Sequence, residues 1–586
     1  MRRVLWLLAA LAAPVAAGAQ EAPYTVDIDG VKGGLRERIE EAARLTSLRD
    51  QPPASRVALE RRADEDVERI QEVLRSEGYY AAEVAVSIGE GGPPVPVRID
   101  IRRGEPFLLG AYHVDYRVPA GSPTPGPVPL EALGLEQGQR ARAEPIVAAQ
   151  TALLRALAEQ GYPLAQVAER RVEVDFATHL MTVELAVDTG GQARFGQVAI
   201  AGLEDVEDKV VRRRIPWEQD EVFSVSRVEE LRETLAESRL FDTVKISTGT
   251  ELGPDGRLPI TVELSEARHR SIGFGANWSS SKGFGGKAFW EHRNLMGGGE
   301  RLRASVIASE IRNALDLDFS EPDFLAADQN LVIAATAEEQ RTDAFTTRTL
   351  GTSAGVEWEL TPTWSAVASV AAERTFEEED NVTSDFTLFS LPLEARHDST
   401  DDVLDPTRGN RLRGVVRPFI EPPGTTGFTR IDLHDSHYWQ LRDDPRLIAA
   451  VWGRIGSIRG AGLQDVPADK RFYMGGGGSV RPFGYQMAGP VDAEGDPTGG
   501  LSAIGFGGEL RFKVTEDIGV VPFIEAGHAD ASKTPDLDGR LFWGAGLGLR
   551  YHTAIGPVRA DVAVPLNRRE GIDDAYQIYL SLGQAF

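Results

Sequence analysis

Two hydrophobic patterns divide the chain near residue 268. Before this point, apolar residues recur three and four positions apart in segments that end at a glycine or a turn, which is the pattern of amphipathic helices. Each helical segment is followed by stretches in which apolar and polar residues alternate, as they do in half-buried strands. After this point only the alternating stretches remain. The sequence therefore predicts an α+β amino-terminal part and an all-β carboxyl-terminal part.

The amino-terminal part contains one unit three times. Its helical segments at 70–80, 153–162 and 231–241 align with one another. The alignment predicts a unit of one strand, two helices and two strands that recurs about every eighty residues. An open sheet edge in such a unit can pair with an extended peptide, although a spacer role fits the same pattern. We assign the three units to residues 22–104, 105–190 and 192–267.

The carboxyl-terminal part, residues 268–586, consists of alternating stretches separated by Gly, Asp, Asn and Pro. A soluble sandwich also alternates. The number of successive strands and the aromatic residues near their ends favour a membrane barrel, which must close because lipid satisfies no backbone group. About twenty residues for each strand and its connection predict about 16 antiparallel strands, within the even-numbered bacterial range.

Composition and the first residues narrow the function classes. The chain has 63 Lys+Arg, 89 Asp+Glu and a net charge of −26, which argues against a nucleic-acid partner. It has no cysteine, which excludes disulfides and thiolate metal sites. A basic start, an apolar run and the small-x-small pattern Ala17-Gly18-Ala19 predict an export signal over residues 1–19, with a buried first helix as the alternative. Export without cysteine suits a bacterial periplasm or outer membrane.

Enzymatic motifs are incomplete in this sequence. Gly351-Thr352-Ser353-Ala354-Gly355 has the spacing of a hydrolase nucleophile, but a strand pattern follows it where that motif needs a helix. Gly544-Ala545-Gly546-Leu547-Gly548 continues into a strand in the same way, and the nine histidines form no His-Glu-x-x-His pair. We therefore predict no enzymatic activity, no catalytic or metal-binding residue and no cofactor.

Three such repeats before such a barrel resemble polypeptide-transport-associated (POTRA) domains followed by an outer-membrane insertase barrel. The number of repeats and residues 555–561 and 581–586 are most similar to the TamA family, the outer-membrane subunits of the translocation and assembly module. The resemblance implies a barrel in the cell outer membrane, periplasmic POTRA domains, and a factor that inserts or secretes β-rich, autotransporter-like clients. The partners it implies are outer-membrane lipid, client polypeptides and a TamB-like inner-membrane-anchored protein on the first repeat.

The resemblance also extends to a loop that folds back into the barrel lumen and carries a Val-Arg-Gly-Phe/Tyr motif. The matching residues are Val480, Arg481, Phe483, Gly484 and Tyr485. Pro482 replaces the usual glycine and fixes φ where glycine leaves it free. In the family, the loop arginine pairs with the acid of a Phe-x-Asp-x-Gly strand motif, which Phe523, Glu525 and Gly527 match here with Glu in place of Asp. Alternation places Glu525 on the lumen face.

The resemblance finally implies a weak lateral seam between the first barrel strand, about 270–278, and the last, about 577–586. The predicted seam residues are Ile272, Phe274, Ile578, Leu580, Leu582 and Phe586. Few hydrogen bonds across the seam would let it open and template a client strand. Two alternatives stay open. One is a transporter that exports a dedicated polypeptide through the lumen, as two-partner secretion proteins do, and the other is a solute porin.

Overall fold

The computed structural model describes residues 23–379, 382–422, 427–536, 540–553 and 556–582. Three α+β repeats come first along the chain, and the strands of a closed barrel follow. The predicted export signal over residues 1–19 lies outside the described residues. Within the described ranges, no helix is both long enough and apolar enough to cross a bilayer.

The first repeat combines three helices with a three-stranded sheet. Its elements are β1 (Tyr24–Asp29), α1 (Gly34–Ala42), α2 (Arg44–Ser47), α3 (Arg56–Ser76), β2 (Glu83–Ile88) and β3 (Val95–Arg102). Strand β3 lies in the middle, parallel to β1 and antiparallel to β2. Helix α3 begins where the Ser55 hydroxyl accepts a hydrogen bond from the Ala58 backbone N–H. Its apolar stripe, which includes Leu59, Ile70 and Leu74, is fully buried in the core of the repeat.

A buried carboxylate explains why this repeat has one more helix than the predicted two. Asp66 of α3 is fully buried, and its oxygens accept the backbone N–H groups of Arg44 at 2.9 Å and Leu45 at 2.6 Å. These residues begin α2, so Asp66 supplies acceptors that the start of this short helix needs. The spacing of hydrophobic residues does not reveal a helix cap that comes from a distant part of the sequence. The pattern therefore did not predict α2.

The second repeat has the same sheet order with one α-helix and one 3₁₀-helix. Its elements are β4 (Leu108–Arg117), the 3₁₀-helix Leu130–Leu133, α4 (Ala143–Glu159), β5 (Gln166–Asp175) and β6 (Leu180–Asp188). Strand β6 lies between β4 and β5. After α3 and α4 the chain turns at Gly78 and Gly161, whose φ angles are +86° and +95°, and then buries Tyr79 and Tyr162. Glycine ends both helices because it adopts this left-handed conformation without a steric penalty.

The third repeat has the two predicted helices. Its elements are β7 (Arg194–Ala201), α5 (Asp208–Arg212), α6 (Val225–Glu237), β8 (Phe241–Thr248) and β9 (Arg257–Glu266), with β9 in the middle of the sheet. Where the other repeats have glycine, this repeat has Arg239 at φ +56°, followed by the buried Leu240. The turn is therefore kept although its usual residue is replaced.

The barrel follows the third repeat. Its strands are β10 (Arg270–Ser279), β11 (Gly283–His292), β12 (Arg301–Ser309), β13 (Arg312–Glu321), β14 (Gln329–Arg341), β15 (Thr346–Thr361), β16 (Trp364–Glu379), β17 (Val382–Ser390), β18 (Leu393–Asp398), β19 (Gly409–Ile420), β20 (Gly427–Arg442), β21 (Leu447–Arg459), β22 (Ser502–Lys513), β23 (Ile518–Asp530), β24 (Phe542–Thr553), β25 (Gly556–Pro565) and β26 (Gln577–Leu582). Each strand is antiparallel to its neighbours in the closed sheet.

Strands β17 and β18 occupy one position in the barrel wall. Both pair with β16 on one side and with β19 on the other. Leu391 and Pro392 separate them, and proline has no N–H to donate to the ladder. The wall therefore has 16 antiparallel positions, and the predicted fold class of α+β repeats followed by an all-β barrel is confirmed.

Alternation along each strand separates an outer face from the lumen. In β24, Leu547 and Leu549 are exposed on the outside, whereas Arg550 is buried inside. Strand length varies around the wall: β15, β16 and β20 have 16 residues each, but β10, β11 and β13 have 10 and β12 has 9. A tilted strand crosses the hydrocarbon layer in about 9–11 residues. The longest strands therefore extend beyond it.

Candidate functional site

The connection between β21 and β22, residues 460–501, folds into the lumen of the barrel, and we name it the lumen loop. Val480 and Phe483 of this loop are buried in one apolar cluster with residues of the wall, among them Trp452 and Phe542. The Phe483 and Phe542 rings meet edge to face at 5.1 Å between centroids. Apolar packing thus holds the loop against the inner wall.

Arg481 makes the central contact between the lumen loop and the wall. Its side chain is 1% exposed, its Nε donates to Glu525 Oε1 at 2.8 Å, and its backbone N–H donates to Oε2 at 2.8 Å. Its Nη1 donates to Asp561 Oδ2 at 2.9 Å and its Nη2 to Glu509 Oε2 at 3.1 Å. The guanidinium carbon lies 3.5 Å from the centroid of the Phe523 ring. The structure brings the predicted pair together and adds two carboxylates to it.

Three more arginines surround these carboxylates. Arg511 Nε donates to Glu509 Oε1 at 2.8 Å, Arg550 is ion-paired with Asp561, and Arg559 Nε lies 2.9 Å from Asp561 Oδ2. Removing one partner from such a buried set leaves an uncompensated charge, at a cost of roughly 3–5 kcal/mol. The charge cluster, as we name it, consists of Arg481, Glu509, Arg511, Glu525, Arg550, Arg559 and Asp561.

Glycines in the wall let the loop and the strands approach closely. A Cβ atom at Gly544 would overlap the ring of Pro482, so a larger residue there would push the loop away from the wall. A Cβ atom at Gly527 would lie 2.7 Å from the backbone oxygen of Ile504 on the neighbouring strand. Pro482 is thus compatible with this site because the wall residue next to its ring, Gly544, has no side chain.

Tyr485 links the lumen loop to β14 and to the turn between β10 and β11. The Gln340 side-chain amide donates to its hydroxyl at 3.3 Å, and the Lys282 ammonium lies 4.0 Å from the centroid of its ring. Lys282 belongs to the turn between β10 and β11, where burial, and secondarily Arg312, lower the pKa of its ammonium. Gly484, the preceding motif residue, is half-buried.

The barrel closes between β10 and β26, and the described parts of these two strands pair at few positions. Two residue pairs are in register there, Trp278 with Leu580 and Ser279 with Tyr579, within the described parts of the two strands. Strand β10 pairs with β11 along its full length. The pairing includes Ser279, the last residue of β10, but it stops at Leu580, before the described part of β26 ends at Leu582.

The predicted seam residues are only partly brought together. Leu580 pairs with Trp278, but Ile272 and Phe274 have no pairing with the described part of β26 and are 68% and 80% exposed. The register explains this, because a strand paired at these positions places Ile272 and Phe274 opposite residues beyond Leu582. Three predicted seam residues remain. Ile578 and Leu582 share the outer face with Leu580, and Phe586 lies outside the described residues.

Polar contacts fasten the seam next to the β10–β11 turn. The Ser280 backbone N–H donates to the Ile578 backbone oxygen at 3.0 Å, and the Ile578 N–H donates to the Ser280 hydroxyl at 3.0 Å. That hydroxyl donates in turn to the Gln577 side-chain oxygen. The buried Tyr579 hydroxyl donates to the backbone oxygen of Arg481 at 2.8 Å. Tyr579 therefore belongs both to the seam and to the attachment of the lumen loop.

Comparison with known families identifies the architecture. Residues 294–586 match the Omp85 superfamily domain. This chain belongs to the Omp85 superfamily. Its barrel lies in the outer membrane, its three repeats are POTRA domains in the periplasm, and it is not an enzyme.

Relatives of this Omp85 chain include outer membrane protein assembly factor BamA of Nitratidesulfovibrio vulgaris, 25% identical over 456 residues, which cover 73% of this chain and 56% of the relative. BamA of Neisseria meningitidis serogroup B is 20% identical over 599 residues, which cover 90% of this chain and 73% of the relative. The crystal structure of Haemophilus ducreyi BamA lacking POTRA domains 1–3 matches with a TM-score of 0.68 at 17% identity, over 81% of this chain and 100% of that one. The chain thus spans little more than half of the first relative.

The sequence did not predict several residues of this Omp85 site. Glu509 and Asp561 occupy lumen-facing positions of alternating strands, and that alternation is the signal that could have found them. It does not show which of the lumen-facing acids meet Arg481, because the register between strands is not readable from one sequence. Tyr579 and Lys282 lie outside the motifs of the lumen loop and its strand partner, and closure of the barrel brings them to the lumen loop.

Proposed function

We propose that this chain is an outer-membrane assembly factor that inserts β-rich client proteins through the seam between β10 and β26. The single observation that carries the proposal is that pairing at the seam stops at Trp278 and Leu580, although the register brings Asn277 and Ala276 opposite the described Ser581 and Leu582. An unpaired strand edge is a template for another strand. Membership in the Omp85 superfamily and the names of the BamA relatives support the same function.

Strand pairing itself would drive insertion. In a bilayer, backbone N–H and C=O groups that lack a partner cost several kcal/mol each, so an arriving client strand that pairs with β10 removes this penalty from both chains. The outward side chains of β10, Ile272 and Phe274, would let such a strand continue the apolar outer face. The lumen loop and its charge cluster would hold the rest of the wall together while the seam is open.

We further propose that the chain acts as a TamA-family subunit. The support is the presence of three repeats before the barrel, at about residues 22–104, 105–190 and 192–267. In this proposal the first repeat binds a TamB-like partner anchored in the inner membrane, and the clients include autotransporter-like proteins. Loss of binding to such a partner after deletion of the first repeat, with the barrel intact, would support this assignment, and unchanged binding would contradict it.

A disulfide across the seam tests the insertion mechanism. The chain has no cysteine, so Trp278→Cys with Leu580→Cys creates one defined pair. The two residues are direct partners in register, within the Cα separation that a disulfide needs. We expect the oxidised protein, reconstituted in liposomes, to lose insertion of an unfolded barrel client, measured as protease-resistant folded client, and to regain it when reduced.

The matched control places the same bond in the continuous wall. Ala545 and Val564 are direct partners on the outer face of β24 and β25, so Ala545→Cys with Val564→Cys should leave insertion unchanged in either redox state. Full insertion by the oxidised seam variant would refute the proposal. Export of a polypeptide through the lumen of the locked barrel would instead establish the two-partner transporter.

A further inference from the structure

Three arginines form a patch on the outer face of the barrel at the extracellular ends of β14, β15 and β16. Arg341, Arg348 and Arg374 have 62%, 69% and 57% of their side chains exposed. They share the outer face with Leu350, which pairs directly with Arg374 across the two strands. Guanidinium groups on a lipid-facing wall mark the level at which acyl chains give way to charged headgroups.

Two carboxylates position these arginines without using all their donors. Glu339 Oε1 accepts from Arg341 Nη2 at 2.9 Å and from Arg348 Nε at 2.8 Å. Asp385 accepts from Arg374 Nε at 3.1 Å and from Nη2 at 2.7 Å. In the part of the chain that the structure describes, both Nη groups of Arg348 and Nη1 of Arg374 donate to no protein acceptor. These donors remain for an external anion.

An apolar depression of about 750 Å³ lies beside the arginines on the same outer face. Its lining includes both Arg348 and Arg374 at the charged end. Ala308 and Ala337 in this lining have small side chains, which leave room on the outer face. The apolar outward residues that line it are Val306, Ala308, Leu315, Ala337, Leu350 and Phe376.

Strand length places this patch at the membrane surface. Strands β15 and β16 have 16 residues each. At about 3.4 Å per residue and a tilt of about 40°, such a strand spans about 40 Å along the membrane normal, against an apolar band of about 25 Å. The charged end of the depression therefore reaches the headgroups of the outer leaflet while its apolar part stays among the acyl chains.

We propose that this patch is a binding site for lipid A, the phosphorylated glycolipid of the outer leaflet. A phosphate binds Arg348 and Arg374, and an acyl chain occupies the depression. Arginine suits this ligand because its planar donors match a phosphate in a bidentate geometry. Exposed arginine–carboxylate pairs are worth little, so Glu339 and Asp385 do not compete strongly with the phosphate. The inference is independent of the proposed insertion function.

Titration of the full-length, detergent-purified protein with bisphosphorylated lipid A, read by native mass spectrometry, tests this site. The double variant Arg348→Gln with Arg374→Gln should bind lipid A about tenfold more weakly or worse, because it loses charge-assisted hydrogen bonds. The single variant Arg348→Gln should bind lipid A with an affinity between those of the double variant and the unmodified protein. Arg459→Gln, at an exposed arginine on the end of β21, is the matched control and should bind like the unmodified protein.

Two results would contradict the proposed lipid A site. One is equal lipid A binding by the double variant and the unmodified protein, with both shown to be folded by heat-modifiable migration on gels. The other is equally tight binding of phosphatidylethanolamine to the unmodified protein, which would mean that the patch holds any surrounding lipid. Phosphate dependence would be supported if monophosphorylated lipid A binds more weakly than the bisphosphorylated form.

Discussion

Two pairs of neighbouring strands in the barrel differ in how much backbone pairing joins them. They are β15 with β16 in the wall and β10 with β26 at the seam. The wall pairs residue by residue from Thr346 to Thr361, with one irregularity near its periplasmic end. The seam pairs at two positions in its described part and adds side-chain contacts from Ser280, Gln577 and Tyr579. Ladder bonds in lipid are expensive to break, whereas single side-chain bonds contribute about 1 kcal/mol each. The seam is therefore the joint that point substitutions can adjust.

The charge cluster strengthens the wall next to the seam without crossing it. Its carboxylates come from β22, β23 and β25, and the Tyr579 hydroxyl continues the contact to the described part of β26. Stability and opening should accordingly respond to different residues. Substitutions of Arg481 and Ser280 should separate the two properties, whereas a substitution of Tyr579, which contacts both regions, should affect both.

Arg481→Met should have the largest effect. It leaves three buried carboxylates with one fewer partner, and we expect a loss of roughly 3–5 kcal/mol in the free energy of unfolding. Denaturant unfolding in detergent, followed by tryptophan fluorescence, measures the loss. Arg413→Met is the control, because Arg413 pairs with Glu394 through two hydrogen bonds but is 60% exposed. It should cost less than about 1 kcal/mol. Equal losses in both variants would contradict a special role for the cluster.

Tyr579→Phe should have an intermediate effect. It removes the hydroxyl that donates to the Arg481 backbone oxygen and leaves that buried acceptor unpaired, at a cost of about 1–3 kcal/mol. The same unfolding measurement applies, and insertion of a client should accelerate because the last strand is released from the lumen loop. Tyr551→Phe, at an exposed outward position of β24, should change neither quantity. Faster insertion without any loss of stability would argue against the assigned bond.

Ser280→Ala should have the smallest effect on stability and a selective effect on opening. It removes two hydrogen bonds of the exposed Ser280, with Gln577 and Ile578, each at the low end of about 0.5 kcal/mol. Together they contribute about 1 kcal/mol, so amide hydrogen exchange at residues 272–279 should become roughly fivefold faster. Thr352→Ala removes a hydroxyl that donates to the Ala334 backbone oxygen inside the continuous wall. Its exchange profile should stay unchanged. Equal acceleration in both variants would mean that the seam is no weaker than the wall.

Local patterns predicted the architecture because periodicity is a property of a few neighbouring residues. The repeats and the alternating strands follow from it, and the loop motif suggested the pairing of Arg481 with Glu525. Contacts that depend on strand register could not be predicted from the sequence. Glu509 and Asp561 meet Arg481 only because of how β22 to β25 align, and the pairing in the described part of the seam depends on the alignment of Trp278 with Leu580.

The position of the charge cluster in the chain has a consequence for the order of folding. Arg481 precedes all three of its carboxylates, which reside on strands that follow the lumen loop. The arginine finds them at its side only after β22, β23, β24 and β25 have aligned, so seating of the loop is a late step. A truncated or misaligned carboxyl-terminal sheet would leave that arginine without the three carboxylates that hold it in the lumen.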